Sequence, residues 1–248
     1  MVAQKTAYSP PMQADFRGKR ALVTGAARKV GRAIALALGE AGADVAVHYR
    51  QSRAEAEETA AALLRLGVRA PLVQGDQALE PARIAGEAAA ALGGLDLLVC
   101  NAARFEKAES AALPRAQFEA MLAANLTGPF FLMQAALPHL RASRGAIVTL
   151  LDLCGTAQVW KGYAHYAASK AGLAALTRLL ALEWAPEVRV NGIAPGAITA
   201  DDAALVKRIP LQRIGTPEEV AAAVLFLAGQ QFITGQILPV DGGRSVNP

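Results

Sequence analysis

A chain of 248 residues, 53% hydrophobic and 19% charged, suits one large α/β domain, and no linker, internal repeat or low-complexity tract divides it. The net charge of +4 comes from scattered Lys and Arg, aromatics are only 5%, and no basic run appears; this argues against nucleic acid as a partner and for anionic small molecules. Uninterrupted apolar runs stay short of the ~18 residues that a membrane span needs, and Cys100 and Cys154 with no secretory pattern suit a reducing, cytoplasmic setting in which both are small buried residues.

Residues 1–17 are polar and Pro-containing and read as a partly ordered tail, leaving 18–248 as a single domain. "RALVTG" is an apolar run closed by Gly25, followed by "RAIALALGEAG" with apolar residues at helical spacing up to a Gly. "DVAVHYR" is a second strand, "RAEAEETAAALLRLG" a helix and "RAPLVQGD" a third strand. The alternation continues through the strand "LDLLVCNAA", the helix "RAQFEAMLAANLTGPFFLMQAALPHL" and the strand "GAIVTLLDL". After these come the helix "YAASKAGLAALTRLLALEWA", the strand "VRVNGIAPG", the helix "PEEVAAAVLFLAG" and a last strand in "GQILPVDGG". Such alternation predicts a doubly wound, Rossmann-type parallel sheet with helices on both faces. Ligands of these sheets bind beyond the carboxyl ends of the strands, so the residues just after strands are the ones to inspect.

The first strand-to-helix turn is "TGAARKVGRAIA". Gly25 permits a tight turn, Gly31 lets the helix pack close to the strand, and the helix N-terminus offers N–H groups to a pyrophosphate. Lys29 stands where the dinucleotide fingerprint has its middle glycine. The second strand ends in "VHYRQSR", with His48, Arg50 and Ser52 and no carboxylate before Glu55, an end that suits a ribose 2′-phosphate better than a 2′-hydroxyl. With Arg28 and Lys29 close by, NADPH is the expected cofactor. Asp76 in "QGDQ" can accept from the adenine amino group, and Asn101 and Ala102 in "CNAARF" let the backbone pass close to the cofactor ribose. No metal ligand set is assigned.

Together with Asn125 of "AANLTG", "YAASK", "RVNGIAPG" and "TGQILPVDGG", these pieces resemble the short-chain dehydrogenase/reductase family from about Arg20 to Gly243. The resemblance implies that Tyr166 is the general acid or base. The physical case agrees, since Lys170 one helical turn away favours the phenolate and draws the working pKa down from about 10. It implies that Lys170 holds the nicotinamide ribose, that Asn125 helps order a water chain to Lys170, and that Val30, Pro195, Gly196 and Ile198 join the cofactor site. Tyr163 has Ala167 four residues on and so lacks a lysine partner. A homotetramer packed through the "YAASKAGLAALTRLLALEWA" helix and the C-terminal strand is expected on the same ground.

Asp152 stands where most of that family has a Ser. A carboxylate repels a carbonyl oxygen but accepts well from an N–H, a water or a phenol. The chain resembles pteridine reductases and the dihydromonapterin reductase group, in which an Asp takes this place. "TGAARKVG", "HYRQS", "NAARF", "GYAHYAASK" and "DGGR" carry the likeness, which implies that Phe105 covers a pterin ring against the nicotinamide and that Asp152 and Tyr166 meet it. "GTAQVWKG" must absorb one residue more than that subgroup has, and "ADDAALVKRIPLQRIG" is short for a substrate flap, so the site is expected to be partly open or completed by a neighbouring subunit. The expected function is NADPH-dependent reduction of a pterin-like ring. Two other readings stay open: a carbonyl reductase or alcohol dehydrogenase on ketones, sugars or acyl thioesters, and an NADPH-binding sensor without turnover.

Overall fold

The computed structural model describes residues 15–199 and 203–247. Among them seven parallel strands form one sheet in the order β3-β2-β1-β4-β5-β6-β7. They are β1 (Arg20–Val23), β2 (Asp44–Tyr49), β3 (Leu72–Gln74), β4 (Leu97–Cys100), β5 (Ala146–Leu150), β6 (Arg189–Pro195) and β7 (Ile237–Val240). The strand order reverses between β1 and β4, which opens a crevice at their carboxyl ends.

The helices are α1 (Lys29–Glu40), α2 (Arg53–Arg65), α3 (Pro81–Leu92), α4 (Arg115–Leu122), α5 (Gly128–Ser143), α6 (Ala164–Glu183), α7 (Ala203–Val206) and α8 (Pro217–Gly229). Successive strand residues point to opposite faces, and the two halves of the core follow that parity. Val23, Val45, Val47 and Val99 pack with Ile34, Leu38, Leu63 and Val224 of α1, α2 and α8. Leu22, Ala46, Leu98 and Ile147 pack with Ile84, Leu132, Leu140 and Leu173 of α3, α5 and α6. Buried on both faces, the strands need the near-continuous apolar composition that marks them in the sequence.

Three boundaries differ from the sequence expectations. Phe16 is buried in the α1/α2/α8 half of the core and its N–H donates to Ala41 O at 2.9 Å, so the fold begins inside the expected tail; residues 1–14 of that tail lie outside the described ones. Burying an aromatic side chain is worth about 2 kcal/mol, enough to order a short polar segment. Helix α3 shows in the sequence only as the run "GEAAAAL", although Pro81 opens it and Ile84, Ala85, Ala88, Ala89 and Leu92 give its buried stripe. Finally, α4 and α5 are joined by a π-turn, Ala123–Thr127, that holds Asn125. This 29-residue helix has the length and apolarity of a membrane span, but it lies on the sheet with Leu132, Met133, Ala136 and Leu140 in the core.

The C-terminal motifs are structural clamps. Asn191 of β6 donates to Ile233 O and accepts from Gln236 N–H, which sets the approach of β7. Arg189 donates to the α8 carbonyls of Leu227 and Ala228, while Thr216 and Glu219 form a capping box at the helix's other end.

Candidate active site

The crevice at the β1/β4 switch point is a cleft of about 510 Å³. Its lining brings together Gly25, Arg28, Lys29, Val30, Gly31, His48, Arg50, Ser52, Asp76, Asn101, Ala102 and, at the far end, Phe105. Two glycines shape the floor. A Cβ on Gly31 would lie 2.1 Å from Gly25 O and 2.5 Å from Asn101 Nδ2, and Gly25 has φ +65° with Ala102 Cα 3.1 Å from where its Cβ would be. Asn101 holds this approach by donating to Thr24 O at 2.8 Å, and the N–H groups of Asn101 and Ala102 both donate to Thr24 Oγ1 at 2.9 Å.

The first turn of α1 has no capping side chain and no acidic residue, so its N–H groups and positive dipole end face the cleft uncompensated. A pyrophosphate fits there. Arg28 and Arg50 stand on the wall at the ribose end, paired with Glu55 at 3.6 Å and Asp76 at 3.2 Å, and each keeps further N–H donors for an anion. Asp76 also accepts from Ala78 N–H at 2.9 Å.

Lys29 sits at φ +48°, in the left-handed region that the fingerprint glycine would occupy without strain. Lys29→Gly is therefore expected to leave stability nearly unchanged, as relief of about 1 kcal/mol of strain is offset by the extra freedom of the unfolded chain. The lost cation should cut the preference for NADPH over NADH about tenfold, read from the ratio of the two dissociation constants.

His48 differs from its expected role. It is buried, Nδ1 accepts from Gly25 N–H at 3.2 Å, and Nε2 donates to Gly75 O at 3.1 Å, so the neutral ring ties the phosphate turn to the end of β3 and has no free nitrogen for a phosphate. Burial pushes its pKa down from 6.5 to about 4. Between those values the unfolded chain takes up a proton that the folded chain refuses. Acidification from pH 6.5 to 4 should thus remove up to about 3 kcal/mol of stability, and His48→Gln should flatten that part of the profile in urea denaturation series.

Two residues of the cleft go beyond the sequence expectations. Gln77 is buried and donates to Ala102 O at 3.0 Å and Ala124 O at 2.9 Å, bridging the end of β4 to the π-turn. Thr199, with φ +60°, lines the cleft where Ile198 is expected. Pro195 ends β6 and its carbonyl accepts from Leu153 N–H, next to Asp152, while Gly196 N–H donates to Val240 O of β7.

At the nicotinamide end, α6 starts just before Tyr166, so Tyr166 and Lys170 lie one turn apart and both are buried. Tyr166 Oη donates to Asp152 Oδ2 at 2.8 Å, and Asp152 Oδ1 accepts from Cys154 N–H at 2.8 Å. The loop between Asp152 and Tyr166 folds into turns over 153–160, closed by Gly155 N–H on Gln158 O at 2.9 Å and Gln158 N–H on Leu153 O at 2.8 Å. Lys170 Nζ donates to Leu150 O at 2.8 Å and lies 5.8 Å from the centre of the Tyr166 ring.

The electrostatics correct one expectation. Burial, reinforced by the neighbouring Asp152 carboxylate, pushes the Tyr166 phenol well above the usual tyrosine range, so Tyr166 rests as a proton-bearing donor and not as the phenolate that Lys170 alone would favour. Burial also raises the Asp152 carboxyl and lowers Lys170 to about 8. Cys100 and Cys154 are pushed up to about 12 and about 11 by burial, so both are protonated, unreactive thiols.

Phe105 stacks on Tyr163, centroids 4.9 Å apart, and meets Tyr166 edge-on at 4.8 Å, with 56% of its surface exposed. Asn125 fixes this loop: Oδ1 accepts from Arg104 N–H at 2.8 Å, and Nδ2 donates to Arg104 O at 2.9 Å and to Ser169 Oγ at 3.2 Å. Its amide is thus engaged with the Phe105 loop and α6. The Arg104 guanidinium pairs with Glu106 at 2.6 Å. Residues 200–202, which open the short flap segment, lie outside the described ones; beyond them α7 has a single turn.

A dinucleotide cleft that ends at a buried Tyr–Lys pair defines a nicotinamide-dependent oxidoreductase of Rossmann type. Residues 25–245 match the family model described as Enoyl-(Acyl carrier protein) reductase. The chain is 36% identical to 3beta-hydroxysteroid dehydrogenase 1 of Eggerthella lenta, over 96% of this chain and 97% of that protein. It is 37% identical to a 3-oxoacyl-[acyl-carrier-protein] reductase of Staphylococcus aureus, over 91% and 97%. A short-chain dehydrogenase from Burkholderia cenocepacia, solved in complex with NADP, superposes with a TM-score of 0.89 at 36% identity, covering 93% of this chain and 99% of that one. The protein belongs to the short-chain dehydrogenase/reductase family.

Proposed function

We propose that this enzyme uses NADPH to reduce a C=N bond in a ring with N–H donors on its edge, of the dihydropterin type. The observation that carries this is the bond from Tyr166 Oη to Asp152 Oδ2. A carboxylate in that place, with the phenol held protonated, presents acceptors to the substrate where a serine would present a donor.

NADPH, when bound along Gly25–Gly31, Arg50 and Asn101, supplies the hydride. The exposed face of Phe105 gives a planar ring a surface to stack on. Asp152 accepts from a ring N–H or amino group and fixes the ring's orientation. Tyr166 gives its Oη proton to the ring nitrogen as negative charge develops there, and the buried Lys170 ammonium offsets the charge left on the phenolate until solvent returns a proton.

The test is NADPH oxidation with dihydrobiopterin, dihydromonapterin, dihydrofolate and a panel of ketones. Turnover of a dihydropterin but no ketone supports the proposal; turnover of ketones alone refutes it and leaves a carbonyl reductase, the chemistry in the names of the acyl-carrier-protein reductases it resembles. Tetramer assembly through α6 is proposed as well, since Leu179 and Leu182 stand exposed there. Leu182→Glu should then yield a smaller species in sedimentation velocity.

A further inference from the structure

We propose that Gln77 is a positioning residue of this site: its buried side-chain amide ties the π-turn to the end of β4 and so sets where Asn125 holds the Phe105 loop. The proposal deepens the function given above and rests on Phe105 facing the substrate there.

Gln77 follows Asp76 on the connection from β3 to α3, and it lines the cleft together with Ala102 and Ala124. Only 6% of it is exposed. Nε2 donates to Ala102 O at 3.0 Å and to Ala124 O at 2.9 Å, while Oε1 is buried with no partner among the described residues. An amide oxygen buried without a donor costs stability, a cost that a side chain serving only to fill space would not carry. The two bonds donated by Nε2 are what this residue contributes.

The π-turn explains why Ala124 O takes a side-chain donor. In Ala123–Thr127 the Gly128 N–H, four residues on from Ala124, goes to Ala123 O, and the next residue, Pro129, has no N–H. Ala124 O is thus left without its helical donor and accepts from Gln77. The two segments approach closely because Gly128 has no side chain: a Cβ there would lie 3.0 Å from Gln77 O and 3.1 Å from Ala78 Cα.

A ring of bonds then closes on the Phe105 loop. Gln77 fixes the peptide planes that follow Ala102 and Ala124. Asn125, next after Ala124, accepts from Arg104 N–H at 2.8 Å and donates to Arg104 O at 2.9 Å, and Phe105 follows Arg104 in the chain. Phe105 therefore owes its place against Tyr163 and Tyr166 to two amides, Asn125 directly and Gln77 through the turn that bears Asn125.

The test is hydrogen exchange of the ligand-free protein, resolved to the Arg104 N–H that Asn125 holds. In Gln77→Met this amide should exchange about tenfold faster, while the amides of Leu22 and Val148 in the core strands keep their wild-type rates. Unchanged Arg104 exchange with a wild-type melting temperature overturns the proposal. Equal acceleration at all three amides overturns it too, because general destabilisation would then be responsible. Turnover gives a second readout: with any substrate that the enzyme accepts, Gln77→Met should lower kcat about tenfold and leave KM for NADPH within about twofold. In an Asn125→Ala background the same substitution should add less than about twofold, whereas a full tenfold loss there would show that Gln77 does not act through Asn125 and would overturn the proposal. Should the Met variant fail to fold, Gln77→Leu takes its place with the same expectations. No substrate enters the exchange measurement, so failure of the pterin assignment would appear in the turnover panel and leave this result standing.

Discussion

Asp152→Ser should lower kcat/KM for a dihydropterin by about 10²-fold or more while NADPH affinity, read by nucleotide fluorescence, stays within about twofold. The side chain is half-buried and accepts from both Tyr166 Oη and Cys154 N–H. Serine is too short to hold both bonds and offers a donor to a substrate edge that also donates. With the carboxylate gone, burial remains but the charge repulsion that raises the Tyr166 phenol is lost, so the phenol becomes more acidic. Reduction of simple ketones should therefore appear or increase. Full dihydropterin turnover in this variant would mean that Asp152 merely caps its turn, and NADPH binding lost along with activity would mean that the substitution disturbed the fold.

Gly31→Ala should be destabilising by about 3 kcal/mol in urea denaturation and should abolish measurable NADPH binding. The added Cβ would meet Gly25 O at 2.1 Å and Asn101 Nδ2 at 2.5 Å. Neither can move away cheaply, because one is backbone and the other is held on Thr24 O. Any relief separates α1 from β1 and opens the floor on which the pyrophosphate rests. Gly86 is the internal control: it lies exposed in α3 with nothing within 4 Å of where a methyl group would stand, so Gly86→Ala should stabilise by about 0.5–1 kcal/mol. Similar stability changes at the two positions would show that the close packing around Gly31 is not what requires a glycine.

Much of the cofactor end is legible in the sequence because it is built from local chemistry. Gly25, Gly31 and the basic residues after β1 and β2 act within one turn of the strand that precedes them, and strand ends in an alternating α/β chain share one edge of the sheet. Helix α3 is only partly legible because its buried face is mostly alanine, which marks a core position weakly. His48 reads as a phosphate ligand from its position at a strand end, whereas burial gives both its nitrogens to backbone groups.

The sequence by itself determined the layered parallel sheet, the dinucleotide cleft, the Tyr166–Lys170 pair and the presence of a carboxylate in place of a serine. Each is written in short motifs or in hydrophobic periodicity, which depend on neighbours along the chain. Only the tertiary structure decided that Asp152 reaches Tyr166 across the loop between them, that the phenol rests protonated, and that Arg244 closes in from the C-terminus behind Trp160. The physical reason is that desolvation and charge coupling depend on which groups share a buried volume. Segments more than eighty residues apart, such as Gln158 and Arg244, share one only after the sheet has closed.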